Sequence, residues 1–164
     1  LFLCQNIYTM SQSLHNNLIH CVFHKHSSAV QILQDDLLRL NTCVISICNE
    51  MHCPCLIANG PGDHIHILFA LSSQVTLANL IKEVKRMSCQ YLKTLRTNYY
   101  KHFRWQNGYG AFSVSGKHKD LVFQYIATQE EHHKKHSFKE EFETLVQNAN
   151  ITTYDPHYYW AEED

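Results

Sequence analysis

The stretch "PCLIANGPGDHIHILFAL", residues 54–71, decides the fold. Two apolar runs flank Asn-Gly-Pro-Gly at 59–62, residue types that favour tight reversals. Each run is short and rich in β-formers, so the stretch predicts two strands joined by a turn. Strand side chains alternate between faces, which puts His64, His66 and Leu68 on one side and Ile65, Ile67 and Phe69 on the other. Two imidazoles on one face can converge on a single cation, since neutral imidazole is a common ligand of divalent metals. The alternative is two polar side chains on a solvated strand face. Thirteen histidines in 164 residues make such pairs frequent, and a second one stands at His24/His26.

Outward from this hairpin the periodicities alternate. Residues 16–24, "NNLIHCVFH", predict a strand. Residues 29–51 carry Ile32, Leu33, Leu37, Leu40, Val44, Ile47 and Cys48 at helical spacing. Residues 76–96 are the clearest helix, with a stripe of Leu77, Leu80/Ile81, Val84, Met87, Tyr91 and Leu95. "GYGAFSVS" (108–115) predicts a fourth strand, and residues 117–135 a helix. In "SFKEEFETLVQNAN" (137–150), Ser137 followed by Glu140 is a capping box opening a last helix. "YDPHYYW" (154–160) is an aromatic tail. The order β–α–β–β–α–β–α–α predicts an α+β protein, a four-stranded antiparallel sheet with helices on its faces, ferredoxin-like.

Length and composition bound the rest. The reading is one domain over 10–150, preceded by an extension at 1–9 that resembles no signal peptide and followed by an aromatic and acidic tail at 151–164. No apolar run approaches the ~20 residues a membrane span requires. Seven cysteines, an odd number with no second C-x-x-C beside "CPC" at 53–55, predict reduced thiols in a cytoplasmic protein rather than a disulfide framework or a structural zinc site. The net charge of −1 argues against a protein that coats itself in nucleic acid. Locally, however, residues 82–104 are strongly basic. Lys82, Lys85, Arg86, Lys93, Arg96 and Arg104 are candidate phosphate contacts, and the interleaved Tyr91, Tyr99, Tyr100, Phe103 and Trp105 offer stacking or core rings.

The helix around "QYIATQEEHH" changes the weight of the histidine pair. Tyr125 and Gln129 are four residues apart and share a helix face, and His132 and His133 extend the polar stripe. The ordered set D-H-x-H, W-Q-x-G-Y-x-x-F-S-V-S and Y-I-x-x-Q-x-x-H-H resembles the single-tyrosine transposases of the HUH nuclease class, from about residue 14 to 160. The resemblance implies that His64 and His66 hold a divalent cation, Mg²⁺ or Mn²⁺. It implies that Gln129 is a third ligand and that Tyr125 is the nucleophile, with His132 and His133 as auxiliary groups. It further implies single-stranded DNA with hairpin ends as substrate and a 5′-phosphotyrosine intermediate. The partner it implies is a second copy, whose tyrosine helix can complete the HUH site. Alternatives are a domesticated palindrome-associated transposase with the same chemistry, and a non-catalytic module binding single-stranded nucleic acid on its sheet. The latter lacks the aromatic R-G-F-x-F-V-x-F signature and leaves the four candidate residues unexplained.

Overall fold

The computed structural model describes residues 14–133 and 137–161. The proposed extension at 1–9 lies outside the described residues. Four strands, β1 (Leu18–His24), β2 (Cys55–Asn59), β3 (His64–Ala70) and β4 (Gly110–Val114), form one antiparallel sheet in the order β2-β3-β1-β4. The predicted α+β, ferredoxin-like sheet is the observed one. Helices α1 (Gln34–Glu50) and α2 (Leu77–Leu95) follow β1 and β3, and α3 (Lys119–Ala127), α4 (Gln129–His132), α5 (Phe138–Asn148) and α6 (Pro156–Trp160) follow β4.

Alternation along the strands divides the sheet into two unlike faces. Cys21, Phe23, Ile65, Ile67 and Phe69 are buried on one face beneath Leu40, Val44 and Ile47 of α1 and Leu80, Ile81, Val84 and Leu92 of α2. Val22, His20, His64, His66, Leu68 and Phe112 are buried on the other, under α3 and α5. The register places His24 opposite His64 and Val22 opposite His66, so the histidine pair sits toward one end of the two central strands.

The segment between α2 and β4 is part of the core. Trp105 packs edge-on against Phe23 and Phe103, with centroids 4.9 and 5.1 Å apart, and its Nε1 donates to Ser88 Oγ at 3.0 Å. The Tyr100 hydroxyl donates to Asp36 Oδ2 (2.9 Å) and accepts from the Leu33 amide (3.0 Å). Burial opposes ionisation of Asp36, but Arg96 Nε at 2.7 Å and the Tyr100 hydroxyl hold its carboxyl below the usual range. Phe103, Trp105 and Tyr100 are therefore packed rings, with no free face for a base.

Three departures from the sequence reading have local causes. The α2 stripe is centred on Leu80/Ile81, Val84, Ser88 and Leu92, with Met87, Tyr91 and Leu95 only half-buried, because Ser88 is taken into the core as the acceptor for Trp105. The single helix expected over 117–135 is interrupted at Thr128, where the backbone leaves helical geometry (φ −102°, ψ 19°) and Oγ1 bonds back to the Gln124 carbonyl at 2.9 Å. The aromatic tail contains a short helix, α6, capped by the Asp155 carboxylate and packed on α5, with the Tyr159 ring stacked on Phe142 at 4.4 Å. The capping box at Ser137/Glu140 is present as expected. Among the described residues no helix is long and apolar enough to cross a membrane.

The β2–β3 turn carries the tightest approach. A Cβ at Gly60 would lie 2.1 Å from the His64 carbonyl oxygen, and Gly62 has φ +112°, a conformation that side chains resist. Gly60→Ala is expected to cost about 1–3 kcal/mol in urea unfolding, the range for an overpacked site, because only backbone movement relieves the clash.

Candidate metal and nucleophile site

His64 and His66 are almost fully buried on their shared strand face, at 1 % and 0 % exposure. A partner fixes Nδ1 of each ring. His64 Nδ1 lies 2.6 Å from Asp63 Oδ1, and His66 Nδ1 lies 2.9 Å from His20 Nε2. Burial, reinforced by His66, pushes His20 down to about 3, while burial outweighs the attraction of Glu141 and brings His66 down to about 4. Both rings are thus neutral near pH 7. The Nε2 atoms of His64 and His66 are buried without a hydrogen-bond partner. Hydrogen bonding at the far nitrogen is how proteins hold a histidine tautomer with its other nitrogen ready for a metal.

The tyrosine helix lies against this face. Asn59 Nδ2 donates to the Ile126 carbonyl at 2.9 Å and the Ala127 carbonyl at 3.3 Å, tying the end of α3 to the end of β2. Tyr125 therefore packs edge-on over His66 and His20, with centroids 5.9 and 6.0 Å away. Gln129 is fully buried one turn on. Its Nε2 lies 3.5 Å from the Tyr125 carbonyl oxygen, and its Oε1 has no hydrogen-bond partner.

The structure adds a residue that the sequence reading missed. Glu141, on α5, stands at the centre of the group with 4 % exposure. It accepts from the Tyr125 hydroxyl and, at 3.0 Å, from Gln129 Nε2. His133 Nε2 is 2.8 Å from its Oε2, and His64 and His66 Nε2 are 3.6 and 3.5 Å from its two oxygens. Burial would raise this carboxyl, but His133, His66 and Tyr125 together hold it far below the usual range. For Tyr125 both effects point upward: burial first, the Glu141 carboxylate second, push its pKa well above the ordinary 10. The sequence signal for Glu141 was present: it occupies a core position of the stripe Phe138, Glu141/Phe142, Leu145/Val146, where an acid needs a reason. His20 carried a similar one, standing between Leu18 and Val22 on the inward face of β1.

One donor atom from each of His64, His66, His133 and Glu141 falls within 4.8 Å of the others. The buried Nε2 atoms of His64 and His66, set beside a carboxylate and a third imidazole, fit a divalent cation. His64, His66, Gln129 and Tyr125 thus come together within one chain. His132 is part of α4.

The basic candidates are dispersed instead. Lys85 is turned inward, and its Nζ donates to the carbonyls of Gln106 (2.7 Å), Asn107 (3.2 Å) and Gly108 while lying 4.9 Å from the Phe23 ring. Burial brings its pKa down to about 8. Arg96 is bound to Asp36, Arg86 pairs with Glu83 and Gln90, and Arg104 reaches the His26 ring at 2.9 Å. Lys82 is exposed and Lys93 half-exposed on α2.

A ferredoxin-like sheet with paired histidines facing a helix that carries Tyr125 and Gln129 frames the comparison with known proteins. Residues 13–129 match the family described as "Transposase IS200 like". The chain belongs to the IS200-like transposase family. Among solved structures, it resembles a protein from Deinococcus radiodurans R1 assigned as a transposase, at 15% identity and TM-score 0.57, covering 73% of this chain and 98% of that one. It also resembles the REP-associated tyrosine transposase bound to a REP hairpin, at 14% identity and TM-score 0.56, covering 94% and 93%. No curated protein matches the chain.

Proposed function

We propose that the protein cleaves and rejoins single-stranded DNA at hairpin-bearing ends through a covalent 5′-phosphotyrosine at Tyr125. The convergence of His64, His66, Gln129 and Tyr125 on one buried cluster carries this reading. A divalent cation held by His64, His66 and Gln129, Mg²⁺ or Mn²⁺, would bind the scissile phosphate and absorb developing charge. Tyr125 Oη attacks phosphorus, the bond to the 3′-oxygen breaks, and that oxygen takes up a proton to leave as a 3′-hydroxyl. Glu141 fixes where the tyrosine proton points by accepting its hydrogen bond. The phosphotyrosine keeps the energy of the phosphodiester, so a second 3′-hydroxyl can reverse the attack and join strands without ATP. One nucleophilic tyrosine per chain means that two cleavages need two chains, which favours a homodimer. Binding of a REP hairpin by a structural relative supports a hairpin substrate.

The test is to incubate the protein with hairpin-bearing single-stranded DNA and Mn²⁺ and look for an adduct that survives denaturing electrophoresis. His64→Ala is expected to reduce it strongly. A folded, DNA-binding protein that forms no adduct with any hairpin substrate would favour the non-catalytic binding module.

The basic residues give a separate prediction. Lys82→Ala should weaken DNA binding and lower the slope of log affinity against log salt by about 1, as for loss of one phosphate contact. Lys85→Met should leave that slope unchanged and instead cost about 1–3 kcal/mol of stability, because three carbonyls lose their donor.

A further inference from the structure

We infer that His133 and Glu141 join His64 and His66 as protein ligands, so that the cation sits in a site of three imidazoles and one carboxylate built entirely by one chain. The inference deepens the proposed function and rests on its reading of this cluster as a metal site. It differs in the ligand set. It brings in α5, which lies beyond the residues matched by the family.

Geometry is the first support. Two atoms each about 2.0–2.2 Å from one ion must lie roughly 2.8–4.4 Å apart. His133 Nε2 and Glu141 Oε2 are 2.8 Å apart and His64 Nε2 and Glu141 Oε2 3.6 Å, while His66 Nε2 lies 3.5 Å from the other carboxylate oxygen, Oε1. The His64 and His133 rings approach to 4.4 Å between centroids, which places the third imidazole beside the first.

The hydrogen bonding of Gln129 is the second support. Its Nε2 donates to Glu141 Oε1 at 3.0 Å, on the carboxylate oxygen that also accepts from Tyr125. Two donors hold Oε1, while Oε2 faces His133 and His64. Gln129 in this arrangement is a positioning residue that aims the carboxylate. Three nitrogens and one anionic oxygen form a set that Mn²⁺, Co²⁺ or Zn²⁺ accepts far more readily than Mg²⁺, which prefers oxygen and keeps its water.

Metal binding without DNA tests this directly. Apo protein is titrated with Co²⁺ and followed by its visible absorption and by calorimetry, with Mg²⁺ titrated in parallel. Wild type should bind Co²⁺ with the intense visible band of low coordination and bind Mg²⁺ much more weakly. E141Q and H133A should each lose at least about 10-fold in Co²⁺ affinity, with Q129A losing less. Circular dichroism of the metal-free variants establishes that they fold. Hydrogen exchange on the wild type needs no variant: Co²⁺ should protect Phe138–Asn148 as well as His64–Ala70. If H64A abolishes Co²⁺ binding while folded E141Q and H133A bind like wild type, and α5 gains no protection, the extended ligand set is overturned and the proposed function stands. If H64A and H66A leave Co²⁺ binding intact, the reading of the cluster as a metal site fails as well.

Discussion

Tyr125→Phe is expected to abolish the covalent protein–DNA adduct, a loss of at least about 10³-fold, while leaving the fold and metal binding in place. The substitution removes one oxygen. The ring contacts to His20 and His66 remain, and Glu141 keeps Gln129 Nε2 at 3.0 Å and His133 Nε2 at 2.8 Å. Thermal unfolding and Co²⁺ affinity of the variant should therefore stay close to wild type, which separates loss of the nucleophile from loss of the site. Denaturing electrophoresis with hairpin DNA and Mn²⁺ makes the comparison. An adduct of wild-type yield in Tyr125→Phe would assign the nucleophile to another residue. Burial first and the Glu141 carboxylate second push the Tyr125 pKa up and so disfavour its phenolate. Under the proposed mechanism, the adduct yield should therefore depend on the cation as strongly as on the tyrosine.

The fold was legible because each of its rules is local. Alternation at 64–70 places the histidines on one face and Ile65, Ile67 and Phe69 on the other, and the Asn-Gly-Pro-Gly reversal allows one pairing of β2 with β3. The break at Thr128 was not legible. It goes with Asn59, far earlier in the chain, holding the carbonyls at the end of α3, and with a threonine hydroxyl satisfying Gln124. The register of the α2 stripe was missed for the same kind of reason, since Ser88 is buried only because Trp105 arrives to donate to it.

In the site, His64, His66, Tyr125 and Gln129 were visible because two short spacings place each pair on one face. Glu141 carried only a weaker signal, an acid on the apolar face of α5, and nothing in the spacing linked that helix to the histidines. The basic run could not be sorted from sequence, because charge along a sequence says nothing of where each side chain turns. Lys85 and Lys82 are one helical turn apart, yet one closes a loop from inside and the other faces solvent.

Acid should destabilise the metal-free protein steeply. His20 and His66 have folded-state pKa values of about 3 and about 4, below the 6.5 of an exposed imidazole, because burial disfavours their charged forms. The unfolded chain therefore takes up these protons first. The stability they contribute is fully present above pH 6.5 and is lost as pH falls from 6.5 toward 4 and 3. Each group adds a slope of up to about 1.4 kcal/mol per pH unit, so the loss by pH 4 is on the order of several kcal/mol. Glu141, also held low, acts in the same direction at lower pH. Urea unfolding in chelator between pH 7.5 and 4 checks the slope, and a midpoint independent of pH would contradict it. His20→Gln should flatten the curve, since it keeps an acceptor for His66 Nδ1 and removes one of the two titrating rings. Divalent metal should steepen it, because the cation binds neutral imidazole and the folded state alone brings the ligands together.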